Sequence, residues 1–218
     1  TVDIDEGCAI RAARGTSAKA ETDVEALKGR VDAVIVAVPT KNHLEVARPL
    51  LNAGIPVLVE KPMASNLAEA DEMLALAEHS GTCLAVGHTE RFNPALTTTL
   101  PLVDKPRFIE VHRLGAHTSR SLDIDVVFDV MIHDLDVILN VLNSDVVSIE
   151  AVGVPILSDR IDIANARIRF ESGCVANLTA SRISRERVRK IRFFQSGSYL
   201  SVDYVKQQAE HWRLLVDE

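Results

Sequence analysis

A regular alternation of apolar strands and amphipathic helices, up to about Pro94, most constrains the fold of this chain. The segment VDAVIVAVP (31–39) is nearly continuous in apolar and β-branched residues, which is typical of a parallel strand covered on both faces. Residues 55–60 and 83–88 are predicted to form two more strands. Strands joined by helices through short connections predict right-handed crossovers, and therefore an α/β fold with a doubly wound parallel sheet.

Two helices are predicted between these strands from the spacing of their apolar residues. The first covers residues 42–53 and has Gly54 as its stop signal. The second covers residues 66–79, with Ser65 or Asn66 as its N-cap. Both helices are expected to pack an apolar face on the sheet.

After about Pro94 the order of predicted strands and helices changes. A long apolar helix is predicted at 126–142, and strands are predicted at 107–114, 146–154, 161–170, 174–183, 188–194 and 199–205. Apolar residues alternate with polar ones in several of these strands, which predicts an open, largely antiparallel sheet with one buried face. We therefore predict an α/β binding domain over residues 1–94 and an α+β domain built on a largely antiparallel sheet over residues 95–218.

Charge and cysteine usage limit the class of protein. The chain has 24 Lys and Arg against 31 Asp and Glu, a formal charge of −7, so no broad phosphate-neutralising surface for nucleic acid is expected. Three cysteines far apart in sequence suit a reducing compartment better than a disulfide scaffold. No apolar run reaches membrane-spanning length. A soluble cytoplasmic protein that contacts neither membrane nor nucleic acid is expected.

The ends of the predicted strands carry the first candidate site. Ligands of a doubly wound sheet bind beyond the carboxyl ends of its strands. Glu60 and Lys61 follow one strand, and residues 39–40 and 87–88 follow its two neighbours. Taken alone, a charged pair after a strand is more often a solvated strand end.

A later helix supplies a second set of reactive side chains. Asp129 and His133 have the i, i+4 spacing that places two residues on one helical face. With Lys61 they provide what oxidation of an alcohol requires, a base for the hydroxyl proton and a cation for the developing oxyanion. Histidine suits the first task because its unperturbed pKa is about 6.5. Two alternatives are a structural pair of Asp129 with a core histidine, and a metal site within 129–136; no metal is expected, because those carboxylates diverge around the helix.

The arrangement AVPTKNH…GIPVLVEKPMA…VGHTERFNPA…DVVFDVMIHDLD resembles the glucose–fructose oxidoreductase / inositol dehydrogenase / MocA family of NAD(P)-dependent oxidoreductases. The resemblance runs from Val2 to about Tyr204. It implies a Rossmann-type domain followed by an open-sheet domain, NAD or NADP as cofactor, and a homodimer or homotetramer formed through the open sheet. It also implies a sugar, cyclitol or nucleotide-sugar substrate, and GHTERFNPA is similar to members acting on UDP-N-acetylglucosamine. A non-enzymatic ligand sensor is the alternative, although it has no need for Lys61 with His133.

The resemblance also implies roles for individual residues. Lys61 corresponds to the family's catalytic lysine, His133 to its acid/base group and Asp129 to the companion carboxylate. Residues implied to contact the cofactor, apart from the N-terminal acid, are Pro39, Thr40, Asn42, His43, Glu60, Lys61 and His88. Residues implied to contact the substrate are Arg91, Asn93, Asp129 and His133. A structural role at the start of a helix is the alternative for His43.

One departure from the family pattern concerns the N-terminus. No G-x-G-x-x-G occurs, and TVDIDEG is similar to the end of the family's second strand. Asp3, or Asp5 in another register, is then the acid that binds the adenosine ribose hydroxyls, which favours NAD over NADP. The first strand, its phosphate loop, and a closing strand and helix after HWRLLVDE are expected to be missing through truncation or because only ordered residues are represented.

A basic stretch, SRISRERVRKIR (181–192), has two interpretations. The favoured one is a solvated face and turn of two strands. The other is contact with an anionic substrate, such as the diphosphate of a nucleotide sugar.

Overall fold

The computed structural model describes residues 1–116 and 124–215. The chain forms two compact units, Thr1–Gly87 and His88–Glu218, and each is described by itself. The domain boundary after residue 94 stays a prediction. No helix within the described ranges is long and apolar enough to cross a membrane.

The first unit contains a parallel sheet of three short strands in the order β1-β2-β3. Its elements are α1 (Glu6–Ala13), β1 (Val34–Val36), α2 (His43–Asn52), β2 (Val57–Val59), α3 (Leu67–Ser80) and β3 (Leu84–Val86), with 3-10 turns at Val24–Leu27 and Thr40–Asn42. Main-chain hydrogen bonds continue the ladder past the strand ends, from Glu60 N to Val36 O and from Gly87 N to Val59 O. The predicted parallel strands and both predicted helices are confirmed.

Both crossover helices have one apolar face, and α3 is also capped at its two ends. Asn66 caps α3 by accepting a hydrogen bond from Glu69 N, and Gly81 ends it in the left-handed region at φ 65°. A shared core of strand and helix residues consists of Val36, Ala47, Leu50, Leu51, Ile55, Val57, Val59, Met73 and Ala77.

The opposite face of this sheet differs from the prediction. The strand at 31–39 was expected to be covered on both faces, yet Ile35 is 70% exposed and its neighbour Leu58 is also exposed. In the described part of the chain, α2 and α3 share the core with Val36, Val57 and Val59, which alternate with these residues. One face is therefore covered and the other is open.

The second unit contains a mixed sheet of seven strands in the order β10-β9-β8-β4-β7-β6-β5. Its strands are β4 (Phe108–Leu114), β5 (Val146–Val154), β6 (Ile163–Phe170), β7 (Val175–Ser181), β8 (Val188–Gln195), β9 (Ser198–Asp203) and β10 (Gln208–Arg213). Its helices are α4 (Pro94–Thr99) and α5 (Ile132–Leu142), with 3-10 turns at Thr89–Phe92 and Leu100–Leu102 and a π-helical turn at Val127–Met131. Neighbouring strands are antiparallel except β4 and β7, so the prediction of a largely antiparallel sheet is confirmed.

One face of this sheet forms the core of the unit. Ile109 and Val111 of β4, Ile191 and Phe193 of β8, and Leu178 of β7 are buried together with residues of α4 and α5. The predicted alternation holds here, because successive side chains of a strand point to opposite faces. On the other face, which we call the open face, Glu110, Asn177 and Arg192 are partly exposed.

Three features of the second unit were not predicted, and the first is the short helix α4. The helix expected over 126–142 begins with the π-helical turn that contains Asp129, and only then continues as α5. Strand β10 lies at the edge of the sheet and all its residues are exposed. It therefore lacks the alternation of apolar and polar residues from which a strand is predicted.

Candidate active site

The carboxyl end of β2 carries Glu60 and Lys61, as predicted from the sequence. Lys61 N donates to the Glu60 carboxylate over 3.3 Å, and the peptide bond from Lys61 to Pro62 is cis. A Cβ atom built on Gly87, at the end of β3, would lie 3.1 Å from Glu60 Oε2. Gly87 therefore leaves the space in which the Glu60 carboxylate lies against the neighbouring strand end.

The turn after β1 contains the next group of predicted cofactor residues. Pro39 is exposed, and its carbonyl accepts from Asn42 N over 2.8 Å, closing the 3-10 turn that Thr40 begins. His43 is buried, with Nδ1 3.2 Å from Met63 O and Nε2 2.9 Å from Val38 O. Because both ring nitrogens face main-chain carbonyls, the geometry gives His43 a structural role that holds the ends of two strands together.

The two candidate acids near the N-terminus have different surroundings. Asp5 is the N-cap of α1 and accepts from Cys8 N over 2.8 Å. Asp3 is exposed, accepts from Asp5 N over 2.9 Å, and directly follows the isolated parallel bridge between Val2 and Glu21. Asp3 thus directly follows a parallel bridge, whereas Asp5 is engaged in capping α1.

The second unit carries Asp129 in the π-helical turn and His133 in the first turn of α5. Both residues are partly exposed, whereas Met131 between them is buried. Asp129 N donates to Asp125 O over 3.0 Å, which continues the helix back from the π-helical turn. Local π-helical geometry is frequent at functional sites.

A buried ion pair fixes the segment that enters this turn. Arg182 Nε donates to Asp162 over 2.8 Å, and Arg182 Nη1 donates to Ile124 O over 2.8 Å. The hydrogen bond from Ile156 N, helped by Arg182 and further main-chain donors, holds the pKa of Asp162 well below its usual range. Arg182 is buried, so the interpretation of the basic stretch as a fully solvated face is wrong at this position.

Asp136 joins two of the predicted residues to α5. Arg91 donates to it from Nε and Nη2, both over 2.6 Å, and Asp136 Oδ1 lies 3.8 Å from His88 Nε2. The hydrogen bond with Asp136 raises the pKa of Arg91. The turn Thr89–Phe92 is thereby held on α5, and two donors of Arg91 are already used.

A second and deeper clamp involves Arg113 of β4. Its guanidinium donates to both carboxylate oxygens of Asp134, over 2.5 and 2.9 Å, and to Glu90 over 3.1 Å. Burial lowers the pKa of Arg113, but Asp134 and Glu90 outweigh this effect and raise it. Burial raises the pKa of Asp134, and the charge and hydrogen bonds of Arg113 oppose this rise without cancelling it.

Asn93, a predicted substrate residue, has structural contacts at both ends of its amide. Its oxygen accepts from Ala95 N over 3.1 Å as the N-cap of α4, and its nitrogen donates to Tyr204 O over 3.3 Å. Tyr204 is buried against the Arg113 guanidinium, 5.1 Å from ring centroid to Cζ, and burial raises the pKa of its hydroxyl. A substrate contact of Asn93 stays a prediction.

Sequence reasoning missed the supporting residues Arg113, Asp134, Asp136 and Asp162. A signal existed for Arg113, since it alternates in phase with the apolar residues Ile109 and Val111 of a half-buried strand. An arginine at an inward position requires a buried carboxylate. No comparable local signal marks which carboxylate it is.

Both halves of the chain match profiles of one protein family. Residues 2–88 match the profile described as the oxidoreductase family with an NAD-binding Rossmann fold, and residues 105–199 match the C-terminal domain of the same GFO/IDH/MocA family.

Individual relatives agree with these profiles. A UDP-N-acetylglucosamine 3-dehydrogenase from Acidithiobacillus ferrooxidans is 40% identical over 188 residues, covering 86% of this chain. This chain spans 60% of the length of that relative. A solved structure of a UDP-N-acetylglucosamine 3-dehydrogenase from the same organism superposes with a TM-score of 0.92 at 37% identity, covering 97% of this chain and 70% of that one.

A more distant structure shares the fold alone. It is the WlbA dehydrogenase from Bordetella pertussis in complex with NADH and UDP-GlcNAcA, with a TM-score of 0.86 at 18% identity, covering all of this chain and 69% of that one. Taken together, the two profiles and the relative solved at 37% identity establish that the chain belongs to the GFO/IDH/MocA family of oxidoreductases.

Proposed function

We propose that the full protein is an NAD-dependent dehydrogenase acting on a hydroxyl-bearing carbon of a nucleotide sugar of the UDP-N-acetylglucosamine type. The observation that carries this proposal is the presence of Lys61, Asp129 and His133 in a chain 40% identical to a UDP-N-acetylglucosamine 3-dehydrogenase. A ligand sensor on the same fold has no use for a proton-transfer set.

Residues at the strand ends of the first unit fit a dinucleotide. Carboxyl ends of parallel strands form the nucleotide crevice of such sheets, and the three strands here end in this arrangement. Gly87 provides a close approach beside Glu60, where a Cβ would displace the carboxylate. We expect Glu60, the turn at Thr40–Asn42 and the exposed carboxylate of Asp3 to hold the cofactor.

The reaction divides between the cofactor and the chain's own side chains. When bound, the nicotinamide supplies hydride transfer to or from the substrate carbon. His133 takes the hydroxyl proton as the carbonyl forms, and Asp129 orients the imidazole. The ammonium of Lys61 stabilises the negative charge that develops on the oxygen. In the reverse direction the same groups return the proton.

The open face of the seven-stranded sheet supports assembly into a homo-oligomer. One row across it alternates charge and runs through Glu150, Arg167, Asn177, Glu110, Arg192, Ser201 and Glu210. A neighbouring row is aromatic and runs through Phe108, Phe194, Tyr199 and Trp212. Such rows suit a self-complementary interface. Light scattering of the full protein and of Arg192→Glu tests this, and a monomeric wild type would contradict it.

A reducing compartment such as the cytoplasm is also proposed. Its support is that Cys8, Cys83 and Cys174, all in the described residues, form no disulfide. Fractionation of cells that produce the protein tests the proposal, and recovery with an extracellular or membrane fraction would contradict it.

A substrate screen tests the enzymatic proposal directly. The full-length protein is mixed with NAD and a panel of free sugars, cyclitols and UDP-sugars, and reduced nicotinamide absorbance is followed. We expect turnover with a UDP-N-acetylhexosamine. Absence of turnover with every compound, from protein that binds NAD, would favour the ligand sensor.

A further inference from the structure

Arg189, the second residue of strand β8, is half-buried and forms no ion pair with a carboxylate among the described residues. It alternates in phase with the buried residues Ile191 and Phe193, so its side chain lies on the helix-covered face of the sheet. In the described ranges, no Asp or Glu oxygen lies within ion-pair distance of its guanidinium. Buried arginines are normally paired, so this position requires an explanation.

The neighbours of Arg189 carry more positive than negative charge, because the like charges of Arg113 and Arg187 lower its pKa more than Glu90 and Asp134 raise it. Arg113 lies directly beside it in the β4–β8 register, and its guanidinium is already hydrogen-bonded to Asp134 and Glu90. Burial, then the like charges of Arg113 and of exposed Arg187, lower the pKa of Arg189. This cluster therefore has three guanidiniums, those of Arg113, Arg187 and Arg189, and two carboxylates. Both carboxylates, Asp134 and Glu90, accept hydrogen bonds from Arg113.

Other cations of the same basic stretch are differently placed. Lys190 and Arg192 alternate onto the open face, where Lys190 lies 3.5 Å from Asp203 and Arg192 lies 2.9 Å from Glu110. Arg182 is paired with Asp162. Arg189 and Arg187 are thus distinguished from the rest of the stretch by their surplus charge.

We propose that Arg189 and Arg187 form a phosphate-binding site, which receives the diphosphate of the nucleotide-sugar substrate. Arginine pairs with phosphate through two parallel hydrogen bonds, and a doubly charged ligand suits two neighbouring guanidiniums. The turn that carries Glu90 also carries Arg91, a predicted substrate residue, so the site adjoins that segment within the second unit. The choice of diphosphate rests on the function proposed above.

Calorimetric titration of the full-length protein with UDP, pyrophosphate and uridine tests the site without requiring turnover. We expect UDP and pyrophosphate to bind, and uridine to bind much more weakly. Arg189→Gln is expected to weaken UDP binding by about ten- to a hundredfold, the effect of losing one charge-assisted pair. Arg187→Gln, on an exposed side chain, should have a smaller effect in the same direction.

Lys190→Gln is the matched control, because it removes one positive charge from the adjacent residue on the opposite face. It should leave UDP affinity unchanged. If Arg189→Gln fails to fold by circular dichroism, Arg189→Lys keeps the charge but loses the bidentate geometry, and should still weaken UDP binding. Wild-type protein that binds neither UDP nor pyrophosphate, or folded Arg189 and Arg187 variants with wild-type affinity, would overturn the proposal.

The two proposals fail in different ways. If UDP binding depends on Arg189 but no sugar is oxidised, only the dehydrogenase function is wrong. If a UDP-sugar is oxidised with unchanged KM in Arg189→Gln, only the phosphate site is wrong.

Discussion

The guanidinium of Arg113 and the carboxylate of Asp134 form a doubly hydrogen-bonded ion pair whose side chains are only 4% and 2% exposed. On the same helix, Asp136 forms an ion pair of similar geometry with Arg91, whose side chain is 45% exposed. Their different burial predicts different contributions to stability, although both tie neighbouring segments to α5.

Asp134→Ala is expected to lower the free energy of unfolding by roughly 3–5 kcal/mol, because it leaves the Arg113 charge buried without its main partner. Asp136→Ala, the matched control, should lower the free energy of unfolding by at most about 1 kcal/mol, because water can solvate the exposed Arg91 guanidinium once its partner is removed. Urea denaturation of both variants at neutral pH measures the difference. Equal losses would show that burial does not decide the strength of these pairs.

Asp162 predicts a pH-dependent contribution to stability. Its folded-state pKa is lowered, so its contribution is complete above the unfolded value of about 3.9 and is lost as pH falls toward the folded value. Asp162→Asn should therefore be destabilised relative to wild type at neutral pH, and the difference should shrink below about pH 4. Exposed Asp159→Asn, in the same loop, is the control and should show little effect. A difference that stays constant with pH would contradict the prediction.

Gly87→Ala tests the placement of Glu60. The added Cβ would lie 3.1–3.3 Å from the Glu60 carboxyl group, so that group must move away from the strand end. NAD affinity of the full protein should fall several-fold to about tenfold, while the melting temperature changes little. The control is Gly115→Ala, where the added Cβ meets nothing within 4 Å. Unchanged NAD affinity in Gly87→Ala would separate Glu60 from the cofactor site.

Local patterns predicted the strands, the crossover helices and the reactive strand end. The buried face of each of β1, β2, α2 and α3 is set by the spacing of apolar residues within that element. The ion-pair partners could not be predicted this way. Asp134 is 21 residues from Arg113, and Asp136 is 45 residues from Arg91. Such pairs depend on which elements become neighbours in the fold. Strand β4, for example, pairs with β7 and β8, which follow it only much later in the sequence.

Two local features also escaped prediction for physical reasons. The π-helical turn at Val127–Met131 is only five residues long, and over that length its apolar spacing cannot be distinguished from that of an α-helix. The exposed strand β10 is stabilised by main-chain pairing with β9, which leaves no mark on its side-chain pattern.

Asp129 and His133 should behave as one acid/base unit. Each change to Ala is expected to lower kcat by about 10²-fold or more, and the double change should be little worse than the more damaging single one. Steady-state kinetics of the three variants, with circular dichroism to verify folding, measure the coupling. Additive losses in kcat would leave Asp129 with a structural role only.

The central claim is that this chain belongs to an enzyme in which Lys61 acts on the reacting oxygen. The most direct measurement is the rate of NADH formation by full-length wild type and Lys61→Met with the substrate identified in the screen. We expect kcat to fall by about 10²-fold or more, with NAD affinity and melting temperature nearly unchanged, because the lost ammonium acts on charge that develops during the reaction. A Lys61→Met protein with near-normal kcat would contradict the account.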